Sequence, residues 1–336
     1  MRILFVSDGS THGGARAFAL AARGLAARGH EVQAVNRCSA FELRRMVKDV
    51  DVVLVNSESD CTSAGSAVAL ARNGSRVIRR VAPFEIAQFG AGARFVARFA
   101  TTEVLYSTDA DRDAAAKAGA RYASHVAKLG VDTAEHDAAA PANRAAIGAP
   151  AKGRLIVCVF DGQKKNVLPP LRTLARLAPR HPDLHMVVVG ANRPDEFRMH
   201  GAALGINSMV TFLGAREDEL SIMRAADFGW IAANGDAAAF AALDFAGCRI
   251  PVLAERNQLS EHYIAEGVSG VLLPPADPAI TAASVSSFLA RDEARGSMGN
   301  AARARLEREF SFGGMIDGFE SAIAGTRGQR SERTVA

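Results

Sequence analysis

A pair of glycines, Gly13 and Gly14, lies between the first apolar run of the sequence, Ile3–Val6, and the stretch that follows it. Because glycine has no Cβ, backbone N–H groups and the start of a helix can approach an anion closely at such a position. The pair therefore predicts either an anion contact or only a tight strand-to-helix turn. A dinucleotide-binding loop is disfavoured, because the full G-x-G-x-x-G is missing and Asn36, not an acid, follows the second apolar run.

The four cysteines stand far apart, at Cys38, Cys61, Cys158 and Cys248. They form neither a C-x-x-C pair nor a cysteine–histidine pair at the spacing that metal sites use. The pattern predicts reduced, partly buried thiols, as is usual in a reducing compartment, and it predicts no metal centre.

The composition is that of a globular protein, with 336 residues, 49% hydrophobic and 23% charged. The net charge of +4 is spread along the chain, and no dense run of Lys and Arg suggests a nucleic-acid partner. The mild excess suits an anionic substrate or a peripheral membrane contact. Because no signal peptide and no span of about 20 apolar residues is recognisable, we expect a cytoplasmic protein.

Short apolar runs alternate with helical patterns in both halves of the chain, which predicts an α/β fold with parallel sheets. The predicted strands of the first half are Ile3–Val6, Glu31–Val35, Val52–Val55, Arg76–Arg80 and Thr102–Ser107. Those of the second half are Leu155–Val159, His185–Val189, Val210–Leu213, Phe228–Ala232, Val252–Ala254 and Gly270–Leu273. Ligands of such folds bind at the carboxyl ends of the strands, so the cleft between the two halves is the expected site.

The apolar period disappears around residues 135–153, where Ala and Pro are frequent. We interpret 1–140 as the first domain, 141–153 as a linker and 154–309 as the second domain. The polar tail at 326–336 is expected to fray.

Segments along nearly the whole chain resemble the retaining GT-B glycosyltransferases of the family-4 class. The resembling segments read MRILFVSDGSTHGGARAFALAARGLAARGHEV, HVAKLGVDTAEH, GQKKNVLPPLRTLARLAPRHPDLHMVVVG, VTFLGAREDELSIMRAADFGWIAA, IPVLAERNQLSEHYIAEGVSGVLLPPADP and FSF. The resemblance implies two Rossmann-like doubly wound domains that face a central cleft, with the acceptor side in the first and the donor site in the second. It also implies a helix at 310–325 that crosses back to the first domain.

The resemblance assigns the donor diphosphate to the lysines after the first strand of the second half. Lys165 matches the family's lysine best and Lys164 second, and such a cation neutralises the charge that grows on the leaving diphosphate, so no metal is required. A solvated loop lysine is the alternative. The family's arginine a few residues earlier is missing, since Phe160 or Asp161 falls there, and an inward-pointing Asp161 would repel phosphate.

The family's E-x7-E signature corresponds to Asp236 and Asp244, which keep the spacing with shorter side chains. The resemblance implies that Asp236 contacts the donor sugar and takes part in catalysis, while Asp244 holds the ribose hydroxyls. The alternative is a helix-capping Asp236 and a helix-surface Asp244. The signature's glycines are alanines here, which would be disfavoured if the backbone needed a positive φ.

The remaining candidates rest on the same resemblance. Gly13 and Gly14 would meet the donor phosphates or the reacting sugar, and the loop with Gly214 and Arg216 would meet the base. His12 is the catalytic histidine that we suggest on the acceptor side, with an ordinary loop histidine as the alternative. Gly190 and Asn192 would border the cleft, and Arg79 or Arg80 could meet an anionic acceptor or the donor phosphates.

The resulting hypothesis is a retaining glycosyltransferase that uses a nucleotide sugar, a UDP-sugar on family frequency, without a metal or another cofactor. The hypothesis assigns neither an acceptor nor an oligomeric state. A catalytically impaired homologue that binds nucleotide or glycan is the alternative, because several signature residues are altered. A nucleotide-sugar epimerase ranks last, since no acid- and histidine-rich active-site segment is recognisable.

Overall fold

A computed structural model describes residues 1–7, 12–36, 38–85, 91–96, 100–120, 122–190, 194–274 and 277–325. The chain divides into two compact units, Met1–Gly130 with Phe312–Ala336, and Val131–Ser311. Within the described residues, each unit contains a six-stranded sheet whose paired strands all run parallel. The prediction of an α/β protein with two doubly wound parallel sheets is confirmed.

The first unit has the strand order β2-β1-β3-β4-β5-β6. Its strands are β1 Arg2–Ser7, β2 Glu31–Asn36, β3 Val52–Val55, β4 Arg76–Arg80, β5 Thr102–Tyr106 and β6 Ala123–Val126. Its helices are α1 His12–Ala27, α2 Ala40–Met46, α3 Glu58–Ala71, α4 Ala91–Val96, α5 Asp109–Lys117 and α14 Phe312–Ala324, with a 3-10 turn at Val47–Asp49.

The second unit has the strand order β12-β11-β10-β7-β8-β9. Its strands are β7 Arg154–Phe160, β8 Leu184–Val189, β9 Val210–Gly214, β10 Phe228–Ala232, β11 Val252–Glu255 and β12 Gly270–Leu273. Its helices are α6 Thr133–Ala138, α7 Lys164–Leu177, α8 Pro194–Ala203, α9 Glu219–Arg224, α10 Gly235–Gly247, α11 Gln258–Tyr263, α12 Pro278–Leu289 and α13 Asp292–Glu309, with a 3-10 turn at Ala145–Ile147. The order reverses between β7 and β10, so the switch point of the sheet lies between these two strands.

Central strands are buried along their length, as expected for parallel strands covered on both faces. All four residues of β3 and all five of β10 are buried. The second unit packs its own core, in which Phe228 and Phe288 meet edge to face at 5.2 Å and Trp230 is buried. A core of aliphatic side chains, Val6, Val53 and their neighbours, fills the first unit. Three of the four cysteines are buried and none forms a disulfide.

The division between the units falls ten residues before the predicted boundary at 140. The segment predicted as a linker, 141–153, belongs to the second unit. Ile147 is buried there, and Arg144 donates to the carbonyl of Ala225 and to Asp227 at 2.9 and 3.0 Å. A few buried side chains therefore hold a stretch that shows no apolar period.

Helix α14, Phe312–Ala324, lies within the helix predicted at 310–325 and packs in the first unit against α1 and β6. Arg28, the residue that follows α1, donates to Asp317 at 2.6 Å and to Glu320 at 2.5 Å. Gly318 lies so close to Ala127 that an added Cβ would stand 2.7 Å from its Cα. No helix among the described residues is long and apolar enough to span a bilayer.

Candidate active site

A cavity of about 100 Å³ lies at the carboxyl edge of the second sheet. Loops after β7, β10 and β11 form it, and these three strands are neighbours on either side of the switch point. In doubly wound sheets this is where ligands bind. Its polar lining consists of Lys165, Asn166, Asn234, Glu255, Asn257 and Ser260.

Lys164 and Lys165 open helix α7, and both side chains are exposed. Neither forms an ion pair with another described residue, and the first turn of α7 contains no acid. The unpaired N–H groups of a helix N-terminus add to the positive potential of two lysines. Of the two, Lys165 lines the cavity, so this end of α7 can attract a phosphate group there.

Pro169 and Pro170 lie inside helix α7, beyond its first turn, because α7 begins at Lys164. Proline has no N–H, so the carbonyls of Lys165 and Asn166, four residues earlier, lack their helical donors. The start of α7 therefore contains backbone carbonyls that have no helical hydrogen bond.

Asp161 organises the loop between β7 and α7. Its carboxylate accepts hydrogen bonds from the backbone N–H of Gln163 at 2.9 Å, from Asn166 Nδ2 at 2.7 Å and from the backbone N–H of Asn234 at 3.1 Å. These donors partly neutralise the negative charge that would repel a phosphate. The acid thus ties the β7–α7 loop to the start of α10.

Helix α10 carries both predicted aspartates, but neither lines the cavity. Asn234, not Asp236, is at the N-cap position, and the helix begins at Gly235, whose φ is +54°. The alanines that replace the signature's glycines have helical backbone and so carry no positive-φ strain.

The two faces of α10 separate these residues. Ala238 and Ala242, one turn apart, line the cavity. Asp236 and Asp244 lie about half a turn around the helix axis from them and are 7% and 2% exposed. The predicted contact of Asp236 with the donor sugar therefore has no support in the cavity's lining.

The predicted ribose ligand, Asp244, is engaged elsewhere. Its carboxylate lies 2.9 Å from Nε2 of the buried His136, whose Nδ1 donates to the carbonyl of Asp132 at 2.9 Å. The two side chains are 3% and 1% exposed. Gly247 leaves room for the imidazole, because a Cβ there would stand 2.3 Å from the ring. The arrangement fixes α6 to α10. Asp244 is therefore buried, and the alternative of a helix-surface Asp244 is wrong.

The predicted base-binding loop lies at the far edge of the same sheet. Gly214 ends β9 with φ +75°, and its carbonyl accepts the N–H of Gly190 at 2.9 Å. Arg216 is half-exposed and donates to Asp218 at 2.8 Å from both Nε and Nη2, which raises the pKa of Arg216 and lowers that of Asp218. Two strands separate β9 from β10, and neither residue lines the cavity.

The other candidates belong to the first unit or lie outside the described residues. Gly13 and Gly14 are buried in the first turn of α1, not in a loop before it. The side chain of His12 and the whole of Asn192 lie outside the described residues. Arg80 is buried and donates to Ser107 Oγ at 3.3 Å, while Arg79 on β4 is half-buried.

Sequence reasoning missed most of the cavity's polar side chains. Asn234 and Asn257 follow β10 and β11, and Glu255 ends β11. The sequence feature that could have identified them is their position directly after predicted strands, where ligand-binding side chains of parallel sheets are found. No group of three or more metal-binding side chains occurs in the described part of the chain.

Residues 140–305 match the family model of the glycosyl transferases, group 1. The chain is 31% identical over 204 residues to a D-inositol 3-phosphate glycosyltransferase of Corynebacterium kroppenstedtii, covering 56% of this chain and 45% of that protein. The same enzyme of Saccharomonospora viridis is 28% identical over 213 residues, covering 58% and 49%. The chain thus spans about half the length of the curated relatives it matches.

Solved structures resemble the whole described fold. The Anabaena HepE complex with UDP-glucose has a TM-score of 0.74 at 17% identity and covers 96% of this chain and 98% of that one. WaaG, a glycosyltransferase of lipopolysaccharide biosynthesis, has a TM-score of 0.70 at 19% identity and covers 96% and 100%. The resemblance to GT-B glycosyltransferases is therefore confirmed: the chain has their fold, and its residues 140–305 match the glycosyl transferases group 1 model.

Proposed function

We propose that this protein transfers a sugar from a nucleotide-sugar donor, a UDP-sugar first of all, to an acceptor hydroxyl with retention and without a metal. The observation that carries the proposal is Lys165, an exposed lysine at the start of α7 that lines a cavity at the switch point of the sheet, within the region that matches the group 1 model. The choice of UDP is supported by HepE, whose structures contain UDP and UDP-glucose.

The proposed reaction needs no enzyme nucleophile. The bond between the sugar's anomeric carbon and the diphosphate breaks while the acceptor oxygen bonds to the same face of that carbon. The acceptor proton passes to an oxygen of the leaving diphosphate. Lys165 stabilises the charge that develops on the diphosphate, assisted by the helix N-terminus and by Lys164.

Calorimetric titration of UDP, GDP and dTDP tests the donor site, and NMR of the product's anomeric centre tests retention. Lys165→Ala should weaken UDP binding about tenfold to a hundredfold, as expected for losing a charge-assisted hydrogen bond, but leave uridine binding unchanged. Lys152→Ala is the matched control. Lys152 is exposed and comes just before β7, so it lies at the amino ends of the strands, whereas the cavity lies at their carboxyl ends. Equal losses for UDP and uridine would contradict the diphosphate role.

A catalytically impaired homologue is the second candidate, and the burial of Asp244 against His136 favours it. Such a protein would bind a nucleotide without turning over a donor. Binding that is accompanied by neither donor hydrolysis nor transfer over a broad acceptor panel would select this candidate. Lack of binding to every nucleotide would rule out both.

A further inference from the structure

The cavity in the second unit is lined by an acid that the signature does not include. Glu255 ends β11, is exposed and is one of the residues that line the cavity. Its carboxylate makes no hydrogen bond or ion pair with the described residues, and its backbone carbonyl accepts a hydrogen bond from Ser260 Oγ at 2.7 Å. Its acceptor oxygens are therefore available to a ligand.

The neighbouring arginine does not neutralise Glu255. Arg256 donates to Glu266 at 2.7 Å and to Glu261 at 3.3 Å. Among the described side chains that line the cavity, the ionisable ones are thus Glu255 and Lys165, of opposite charge. A ligand that combines a phosphate with hydroxyl groups matches this pair.

Amide groups complete the pattern. Asn257 Oδ1 accepts the backbone N–H of Ser260 at 3.0 Å, which leaves Asn257 Nδ2 to donate. The side chain of Asn234 makes no capping bond to α10. A carboxylate accepts a hydrogen bond from each of two adjacent hydroxyls, while amide N–H groups donate to the hydroxyl oxygens. The lining therefore suits a vicinal diol.

We propose that Glu255 has taken over the diol-binding role that the family's signature acid would fill, now that Asp244 is committed to His136. In this inference, which rests on the proposed function, the Glu255 carboxylate accepts hydrogen bonds from a vicinal diol of the nucleotide sugar. The diol belongs either to the ribose or to the transferred sugar.

Calorimetry on the full chain separates these sources. The ligands are UDP, 2′-deoxy-UDP and the best bound of UDP-glucose, UDP-galactose and UDP-N-acetylglucosamine. If the ribose is bound, Glu255→Ala lowers UDP affinity about tenfold to a hundredfold and abolishes the preference for UDP over its 2′-deoxy analogue. If the sugar is bound, UDP affinity stays unchanged and the affinity for the UDP-sugar falls by that factor. Glu255→Gln keeps the shape of the side chain and removes its charge. In either case it should reduce ligand affinity less than Glu255→Ala does.

Glu31→Gln is the control for a lost surface carboxylate, because Glu31 is exposed at the start of β2 in the first unit. Wild-type affinity of Glu255→Ala for every ligand would overturn the inference, and so would tighter UDP binding, which would show that the acid only repels the diphosphate. In both cases a loss of affinity in Lys165→Ala would leave the proposed function standing. A wild-type protein that binds no nucleotide would overturn both.

Discussion

At the scale of single residues, the site differs from the family's E-x7-E signature because neither Asp236 nor Asp244 lines the cavity. Lys165 could be found from its type and register, because a lysine after a buried strand stays near the strand's end whatever the rest of the fold does. Asp244 could not be placed in this way. Its partner His136 is 108 residues away in sequence, and a helix position fixes a face only once its neighbours are known.

The first residue-scale prediction concerns Asp244. Asp244→Ala should lower the free energy of unfolding of the second unit by about 3–5 kcal/mol, because it leaves His136 buried without its partner. UDP affinity of the folded variant should not change. Urea denaturation followed by the fluorescence of Trp230, the single tryptophan, measures the loss in the second unit.

Asp244→Asn provides the matched comparison. Its amide can still pair with His136 Nε2, so the loss of stability should be smaller. A large drop in UDP affinity with unchanged stability in either variant would show instead that Asp244 binds the ribose.

At the scale of elements, strands were easier to predict than short helices. The bounds of β3 and β12 follow directly from uninterrupted apolar runs. Helix α6 has little sequence signal, because His136 is its single buried residue and one buried residue sets up no helical periodicity. Helix α5 has a sequence signal, the capping of Asp111 N–H by Thr108, but few buried residues.

The element-scale prediction concerns the docking of α14. Gly318→Ala should destabilise the first unit by about 1–3 kcal/mol, because the new methyl group would collide with the backbone of Ala127. Gly313→Ala in the same helix should be neutral or stabilising by less than about 1 kcal/mol, since nothing lies within 4 Å of its Cβ position. Urea denaturation followed by far-UV circular dichroism measures both, and equal effects of the two changes would contradict the close approach.

At the scale of the whole molecule, each of the two units packs its own hydrophobic core. The clusters around Val53 and around Val104 belong to the first unit, and the cluster around Trp230 belongs to the second. The sequence predicted this duplication because the alternation of strands and helices restarts after residue 153. It did not predict where the units divide, since the segment after Val131 is held by a few buried side chains and not by a periodic face.

Separate cores allow the stability of each unit to be measured by its own probe. Trp230 fluorescence reports on the second unit alone, while circular dichroism reports on both.

In the first unit, the buried carboxylate of Glu103 is suited to such a measurement. Glu103 accepts hydrogen bonds from Arg76 Nε and from His125 Nε2, both at 2.6 Å. Arg76 also donates to the carbonyls of Ala322 and Ile323 in α14.

The acid dependence of the first unit should follow Glu103. Burial raises the pKa of this carboxyl, but the bonds and charges of Arg76 and His125 outweigh burial and lower the pKa from 4.5 to about 2. A lowered pKa stabilises the folded state above the unfolded value, and the contribution is lost as the pH falls through the folded value. Between pH 5 and pH 2 the first unit should thus lose on the order of 3 kcal/mol.

The variant Glu103→Gln tests whether the Glu103 charge sets the acid dependence of the first unit's stability. At pH 7 the variant should unfold at lower urea by circular dichroism, whereas its Trp230 transition should match the wild type. The difference between variant and wild type should shrink as the pH approaches 2, because the wild-type carboxyl becomes protonated. Glu31→Gln, an exposed change in the same unit, should move neither probe. Equal shifts of both probes would show that the units unfold as one body, and a pH-independent difference would show that the Glu103 charge is not what stabilises the first unit.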